Sequence, residues 1–317
     1  MENRIRLSLA ASVLAVALPA TALLAQSRQA PYTVVETGQG YDRLQRAIDA
    51  IGSGRGTIEI ASGLHADCAV QNGGDVSYLA SEPGKAVFDG VTCEGKAALV
   101  LRGSSATVSG IVFQNLRVPD GNGAGIRLER GNLTVAQSWF RDSEEGILTA
   151  ADPNGRIVID KSTFTRLGRC DRGLSCAHSI YVGDYGHLRI TRSRFEQGRG
   201  GHYVKSRAPR NEVASSSFDD TGGRTTNYMI DLPAGSVGQI TNNWFVQGRD
   251  KENWSAFIAV AAEGRRHPSE GLRIAGNDAR IAPDAARNTT FVVDWSGDRL
   301  ALEDNNLGTG LSPYARR

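Results

Sequence analysis

Charge of one sign is the first thing this sequence lacks. It carries 36 basic residues against 34 acidic ones, a formal net charge of +2, so there is no basic field to draw in nucleic acid. Beyond the first 25 residues it also lacks any apolar run long enough to span a bilayer. Proline is sparse at 10 residues, which excludes a collagen-like chain, and 40% apolar residues with both charge signs mixed excludes a disordered one. Aromatic residues contribute only 7%. Glycine is what the chain has in excess, 37 of 317 residues, well above the roughly 7% of an average protein. The length suffices for a sizeable core, as one elongated domain or two compact ones.

Residues 1–25 read as a secretory signal: Arg4 and Arg6 open it, an apolar and small-residue run fills 7–24, and Ala25 precedes the expected cut before Gln26. An uncleaved anchor is the alternative; Pro19 and the richness in alanine weigh against it. Residues 26–40 are expected as a linker and 41–317 as one domain. The mature protein is expected in the periplasm or secreted, off the membrane once the signal is removed, and monomeric. Four cysteines, Cys68, Cys93, Cys170 and Cys176, form an even set suited to an oxidising compartment. Zinc has no support from a C-x-x-C or a nearby histidine pair. Of three connectivities, Cys68–Cys93 and Cys170–Cys176 are the natural pairs.

A repeat runs through the body of the chain. Phe113, Phe140, Phe164, Phe195, Phe218 and Phe245 stand 27, 24, 31, 23 and 27 residues apart, each in a short strand-like frame. An alternating strand precedes each, such as the one through Ile157 and Ile159, and another lies between, such as those at Ile180, Val204 and Ile230. A sandwich accounts for short strands but not for one motif recurring every ~25 residues; a parallel solenoid accounts for both. Stacked coils then make ladders of Val, Ile, Leu and Phe, about 4.8 Å apart. Glycine is expected to serve the corners. At the start, Leu44, Ala47, Ile48 and Ile51 recur at helical spacing, which predicts a capping helix feeding the strand at Thr57 to Ile60.

The stretch from Leu44 to Ile48, through Gly56 to Ile60 and Gly63, resembles the entry segment of pectate-lyase-like proteins. The repeat extends the resemblance over about residues 40–310. It implies an all-β, right-handed parallel β-helix of the carbohydrate-active kind; handedness comes from the resemblance alone. That superfamily includes lyases, hydrolases, epimerases and noncatalytic adhesins, so fold does not assign function.

The densest polar segment is Gly201 to Ala208, with His178 and Tyr181 one coil earlier. It suits β-elimination from a uronate polymer, which needs a carboxylate neutralised, a base, and an acid for the leaving oxygen. Arg207 is the expected neutraliser. Lys205 is the expected base, with Tyr181, Tyr203, His178 or His202 as acid or alternative base. The expected catalytic set is Lys205, Arg207, His202, Tyr181 and His178. Tyr203, Asp231, Arg127, Glu129 and Arg210 are expected to contact an acidic polysaccharide. Aligning Val182 with Val204 and Ile230 puts Tyr181, Tyr203 and Met229 in one outward row, with Lys205 and Asp231 in the next; a one-residue slip inverts faces.

The resemblance agrees loosely, since β-helix lyases often use Lys and Arg on an outer face. No cofactor is expected. No acidic cluster matches the calcium sites of those lyases, and Asp231 with Glu263 is a thin donor pair. Two other readings stay open: glycoside hydrolysis by paired carboxylates, and a noncatalytic glycan-binding solenoid whose exposed tryptophans stack on sugars.

Overall fold

The computed structural model describes residues 30–317. The signal segment expected at 1–25 lies outside them. Three sheets of 12, 10 and 10 strands run the length of the molecule, and strands adjacent in a sheet come from successive repeats. Nearly all pairings are parallel. Each coil therefore contributes one strand to each sheet, the only way a ~25-residue repeat pairs each strand with its own counterparts.

Strand alternation explains the core. In the third sheet Ile126, Ile147, Ile180, Val204, Ile230, Ile258 and Val292 align in register, and every one is fully buried. In the second sheet the phenylalanine frame becomes a stack. Phe88, Phe113, Phe140, Phe164, Phe195, Phe218 and Phe245 follow one another with ring centroids 4.7–5.7 Å apart. Offset stacking adds to the large area each ring buries. Phe88 begins the stack one coil before the expected frame.

Glycine serves the corners as expected, but not alone. At one corner Gly110 and Gly276 turn the chain with φ of 73° and 65°, and Gln137, Lys161, Arg192, Ser215, Asn242 and Asp304 hold the same position in other coils with φ of 48–56°. A ladder offsets that cost: Ser138, Ser162, Ser193 and Ser216 each donate their backbone N–H to the next coil's side-chain oxygen, from Ser162 to Asn243. Asn243 and Asn277 continue it. Glycine serves close approach as well. A Cβ on Gly125 would lie 2.6 Å from the Phe140 ring, and on Gly146 2.9 Å from that of Phe164.

The expected helix forms over Leu44–Ile51 and buries Leu44, Ala47 and Ile48. Asp67 accepts the Leu44 N–H, and the Gln45 amide exchanges two hydrogen bonds with Val70 in the first strand of the third sheet. Part of the expected 26–40 linker is instead sheet: Tyr32–Val34 pairs antiparallel with Gln39–Tyr41 on one side and Arg55–Ile60 on the other. Both disulfides form as paired in the sequence, Cys68–Cys93 with Cα atoms 5.5 Å apart and Cys170–Cys176 with 4.4 Å. Among the described residues no helix is long and apolar enough to cross a membrane.

Candidate functional site

On the outer face of the third sheet the register runs Arg127, Leu148, Tyr181, Lys205, Asp231, Ala259. This corrects the expected alignment: Ile180, not Val182, pairs with Val204, and Val182 faces Ser206. Tyr181, Lys205 and Asp231 therefore share one row, and Arg207 extends the Lys205 strand by two residues. Tyr203 and Met229, expected in the outward row, are buried. The Tyr203 hydroxyl donates to Asp220 at 2.6 Å inside the protein, so it is not available to a ligand.

The same register stacks His178, His202 and Tyr228 at the preceding corner, with ring centroids 4.9 and 5.6 Å apart. His178 and His202, together with Tyr181, Lys205, Asn227 and Glu252, line a cleft of about 390 Å³. Ser175 and Cys176 form one wall of it. Their loop is held by the Cys170–Cys176 bridge and by the buried Arg169 guanidinium, which donates to the Ser175 carbonyl at 2.9 Å.

Beside the cleft, and joined to it through Lys205, charge is organised around two carboxylates. Lys205 Nζ lies 2.5 Å from Glu263 Oε1 and 3.5 Å from Asp231 Oδ2. Arg207 donates through Nη2 to the other oxygen of Glu263 and through Nε to the Tyr181 hydroxyl at 3.1 Å. Lys205 and Arg207 thus already hold one carboxylate between them, beside a phenol. Glu263 is the more exposed partner, at 44% of its side chain. Hydrogen bonds from Lys205 and Arg207 outweigh the effect of partial burial and hold its carboxyl below the usual range. Asp231 goes the other way. Burial pushes it up to about 7, with the Lys205 charge opposing and Glu263 reinforcing the rise.

His178 and His202 are both buried. Desolvation, then the Lys205 charge, lowers His178 to about 3. Desolvation and the neighbouring His178 push His202 well down. Both rings are therefore neutral near pH 7. His178 Nδ1 accepts the His202 backbone N–H at 3.0 Å, and His202 Nε2 lies 3.5 Å from Asp231.

The remaining expected residues lie apart. Arg127 shares the outward row but is separated from Tyr181 by Leu148. Glu129 is bound by Lys96 and Arg102 further along the solenoid. Arg210 belongs to the first sheet, where it pairs with Glu212.

Asn227, Glu252 and the buried pair Lys251–Asp220 were not legible as site residues, because they sit in corners that follow no period. The histidines were: His178 and His202 each stand two residues before a ladder residue, Ile180 and Val204, and that shared offset fixes the register. A calcium ion on Asp231 and Glu263 does not fit. The Lys205 ammonium occupies the space between them, and Ca²⁺ needs six to eight oxygens. Among the described residues no group of three or more His, Cys, Asp or Glu is placed to hold a metal.

No protein-family model matches the chain, and no curated protein matches its sequence. Solved structures do. The alginate lyase from Paenibacillus sp. str. FPU-7 superposes with a TM-score of 0.65 at 17% identity, over 86% of this chain and 94% of that one. ORF18 of Geobacillus virus E2 gives 0.51 at 14%, over 85% of this chain and 55% of that one. A tailspike capsular polysaccharide depolymerase of Acinetobacter baumannii bacteriophage Fri1 gives 0.44 at 13%, over 85% and 59%. The chain is a parallel β-helix protein, and it shares that fold with an alginate lyase along almost the whole of that enzyme.

Proposed function

We propose that this chain is a polysaccharide-active enzyme cleaving a uronate polymer by β-elimination in the cleft of Tyr181, Lys205, Arg207 and Asp231. One observation carries the reading: Lys205 and Arg207 jointly grip the Glu263 carboxylate at the Tyr181 hydroxyl. A uronate carboxylate that displaces Glu263 takes the same two cations, and its acidic C–H then lies against Tyr181. Neutralising the carboxylate stabilises the carbanion-like transition state. Tyr181 reacts as the phenolate, its own proton having passed to solvent and its negative charge being held by the Arg207 guanidinium; Oη takes the C–H proton and becomes a neutral phenol. The C–H electron pair becomes the new C=C bond, and the bond to the glycosidic oxygen breaks. That oxygen takes a proton from Lys205, which is resupplied by Asp231 behind it. This moves the base from Lys205, as expected from sequence, to Tyr181, because two carboxylates grip Lys205. His178 and His202, buried and neutral, serve as hydrogen-bonding wall.

A screen of uronate polymers for the ultraviolet absorbance of unsaturated uronate tests this, and the likeness to an alginate lyase puts alginate first. Failure of every polymer to yield that chromophore overturns the elimination reading. Hydrolysis is the second reading, favoured by one fact: Asp231 is pushed up and Glu263 held down, as an acid and a base require. New reducing ends without the chromophore would select it.

Asp231 also sets a pH dependence. Its carboxyl faces Lys205, His202, Glu263 and Arg207, and its folded value of about 7 lies above the ordinary one. The native state therefore binds the extra proton, and stability falls as pH rises from about 4 to about 7. Asp231→Asn cannot ionise. It should melt higher than wild type at about pH 8 but not at about pH 4, while turnover drops and the alkaline fall in rate disappears. Equal melting shifts at both values would refute the proton held on Asp231.

The helix Leu44–Ile51 reads as the cap of the open N-terminal end of the core. A right-handed coil, a cleaved signal over 1–25, a single domain over 41–317 and an extracellular or periplasmic site of action belong to the same reading. The two disulfides are compatible with that location.

A further inference from the structure

The second sheet carries a feature that the cleft does not use. Its outward row runs Trp139, Thr163, Arg194, Ser217, Trp244, Asp278 in unbroken register. Trp139 and Trp244 are 37% and 43% exposed, among the few large apolar side chains that face solvent. Four strand steps separate them, about 19 Å. Beside Trp244 the corner of the coils forms a shallow groove of about 600 Å³, lined by Arg192, Ser217, Asn242 and Asp278. The Arg141 guanidinium lies 4.5 Å from the Trp139 ring centroid and is itself anchored on Gln114, which braces that indole.

From this row we infer a second, noncatalytic binding surface for an extended polysaccharide chain, lying along the solenoid with sugar rings on both indoles. A flat apolar ring flanked by hydroxyl and amide groups suits the face and edge of a pyranose. The coil repeat of about 4.8 Å is of the order of one sugar ring's length, so a chain along the axis meets each coil in turn. A protein partner is disfavoured because three polar positions separate the indoles, where a stable interface needs contiguous apolar anchors. Charge is not the recognition element. Arg192 and Arg194 are already committed to Asp160 and Glu196, so binding here is insensitive to salt, unlike attraction of a polyanion to Lys205 and Arg207.

Affinity electrophoresis through gels containing alginate, polygalacturonate or an uncharged β-glucan tests the surface without requiring turnover, so its outcome is independent of the elimination chemistry. The background is Lys205→Ala, which keeps the polymer intact. Retardation in at least one gel should survive about 0.5 M salt, and the Trp139→Ala/Trp244→Ala pair should weaken it about tenfold. Ser217→Glu, which removes no apolar group and sets a carboxylate between the indoles, should weaken it as well and guards against misfolding of the Ala pair. With Lys205 restored, the tryptophan pair should leave kcat/KM on a short oligouronate unchanged. No retardation in any gel, retardation indifferent to Ser217→Glu and both tryptophans, or an equal loss on the oligouronate would each overturn the proposal.

Discussion

Arg207→Ala and Lys205→Ala are each expected to lower turnover of the best uronate polymer by about 10²–10⁴-fold, with an unchanged far-UV spectrum. The size follows from what each side chain touches. Arg207 alone contacts both the carboxylate position and the Tyr181 hydroxyl, so its loss removes charge neutralisation and the partner of the base together. Lys205 holds the second oxygen of that carboxylate and faces Asp231. Lys205 stands in the outward row and neither side chain belongs to the buried apolar core, so the fold is spared. Tyr181→Phe keeps the ring and removes only the oxygen, and should fall as far. Glu263→Gln should go the other way: with the resident carboxylate neutralised, a uronate no longer competes with it, and KM drops several-fold at similar kcat. Full activity in both alanine variants places the chemistry elsewhere. A KM that rises in Glu263→Gln makes Glu263 a substrate contact rather than an occupant that the substrate displaces.

How far the sequence reveals this site depends on which residues follow a period. The frame from Phe113 to Phe245 is legible because every ring must land on the one below, and side chains that stack have to recur. Tyr203 and Met229 turn inward because each stands just before its strand, Val204–Ser206 or Ile230–Leu232, where alternation does not yet apply; separately, Ile180 and Val182 are both apolar and either aligns with Val204. The hydrophobic pattern alone leaves that two-residue choice open, whereas the matched offsets of His178 and His202 decide it. With the right register Tyr181, Lys205 and Asp231 fall in one row, so most of the cluster was present in the sequence under a wrong alignment. Glu263 is visible in the sequence only as a cation donor beside Asp231, and Asn227 and Glu252 not at all. They sit in corner segments of unequal length, and what brings them to the cleft is where each loop closes on the coil beneath. The corners misled in another way. Beside glycines such as Gly110 and Gly276, the left-handed residues include Gln137, Lys161 and Arg192, tolerated because the Ser and Asn ladder over-determines the backbone there, and no composition count exposes that.

Removing Asp220 is expected to be the most destabilising of the polar substitutions, about 3–5 kcal/mol, read as a fall in the denaturant midpoint. Asp220 and Lys251 form an ion pair at 3.1 Å with both side chains fully buried. The carboxylate also accepts the Tyr203 hydroxyl at 2.6 Å, the Thr226 hydroxyl and the Gly248 N–H. Asp220→Ala therefore strands a buried cation and several donors at once. Burial already holds Lys251 below the ordinary lysine range against the pull of Asp220, so the stranded amine is expected to shed its proton rather than stay charged. Lys251→Met should cost less, because three neutral donors still serve the carboxylate, and the double variant should cost less than the two single losses added together. The pair also reaches the cleft. Lys251 Nζ donates to the Asn227 carbonyl, and Asn227 and Glu252 are cleft walls. Lys251→Met should therefore raise KM at temperatures where the fold is intact, without the collapse of kcat expected at Arg207. A loss below about 1 kcal/mol for Asp220→Ala would mean that water reaches the pair and that this corner does not brace the wall. A KM unchanged in Lys251→Met would confine the pair to holding the fold.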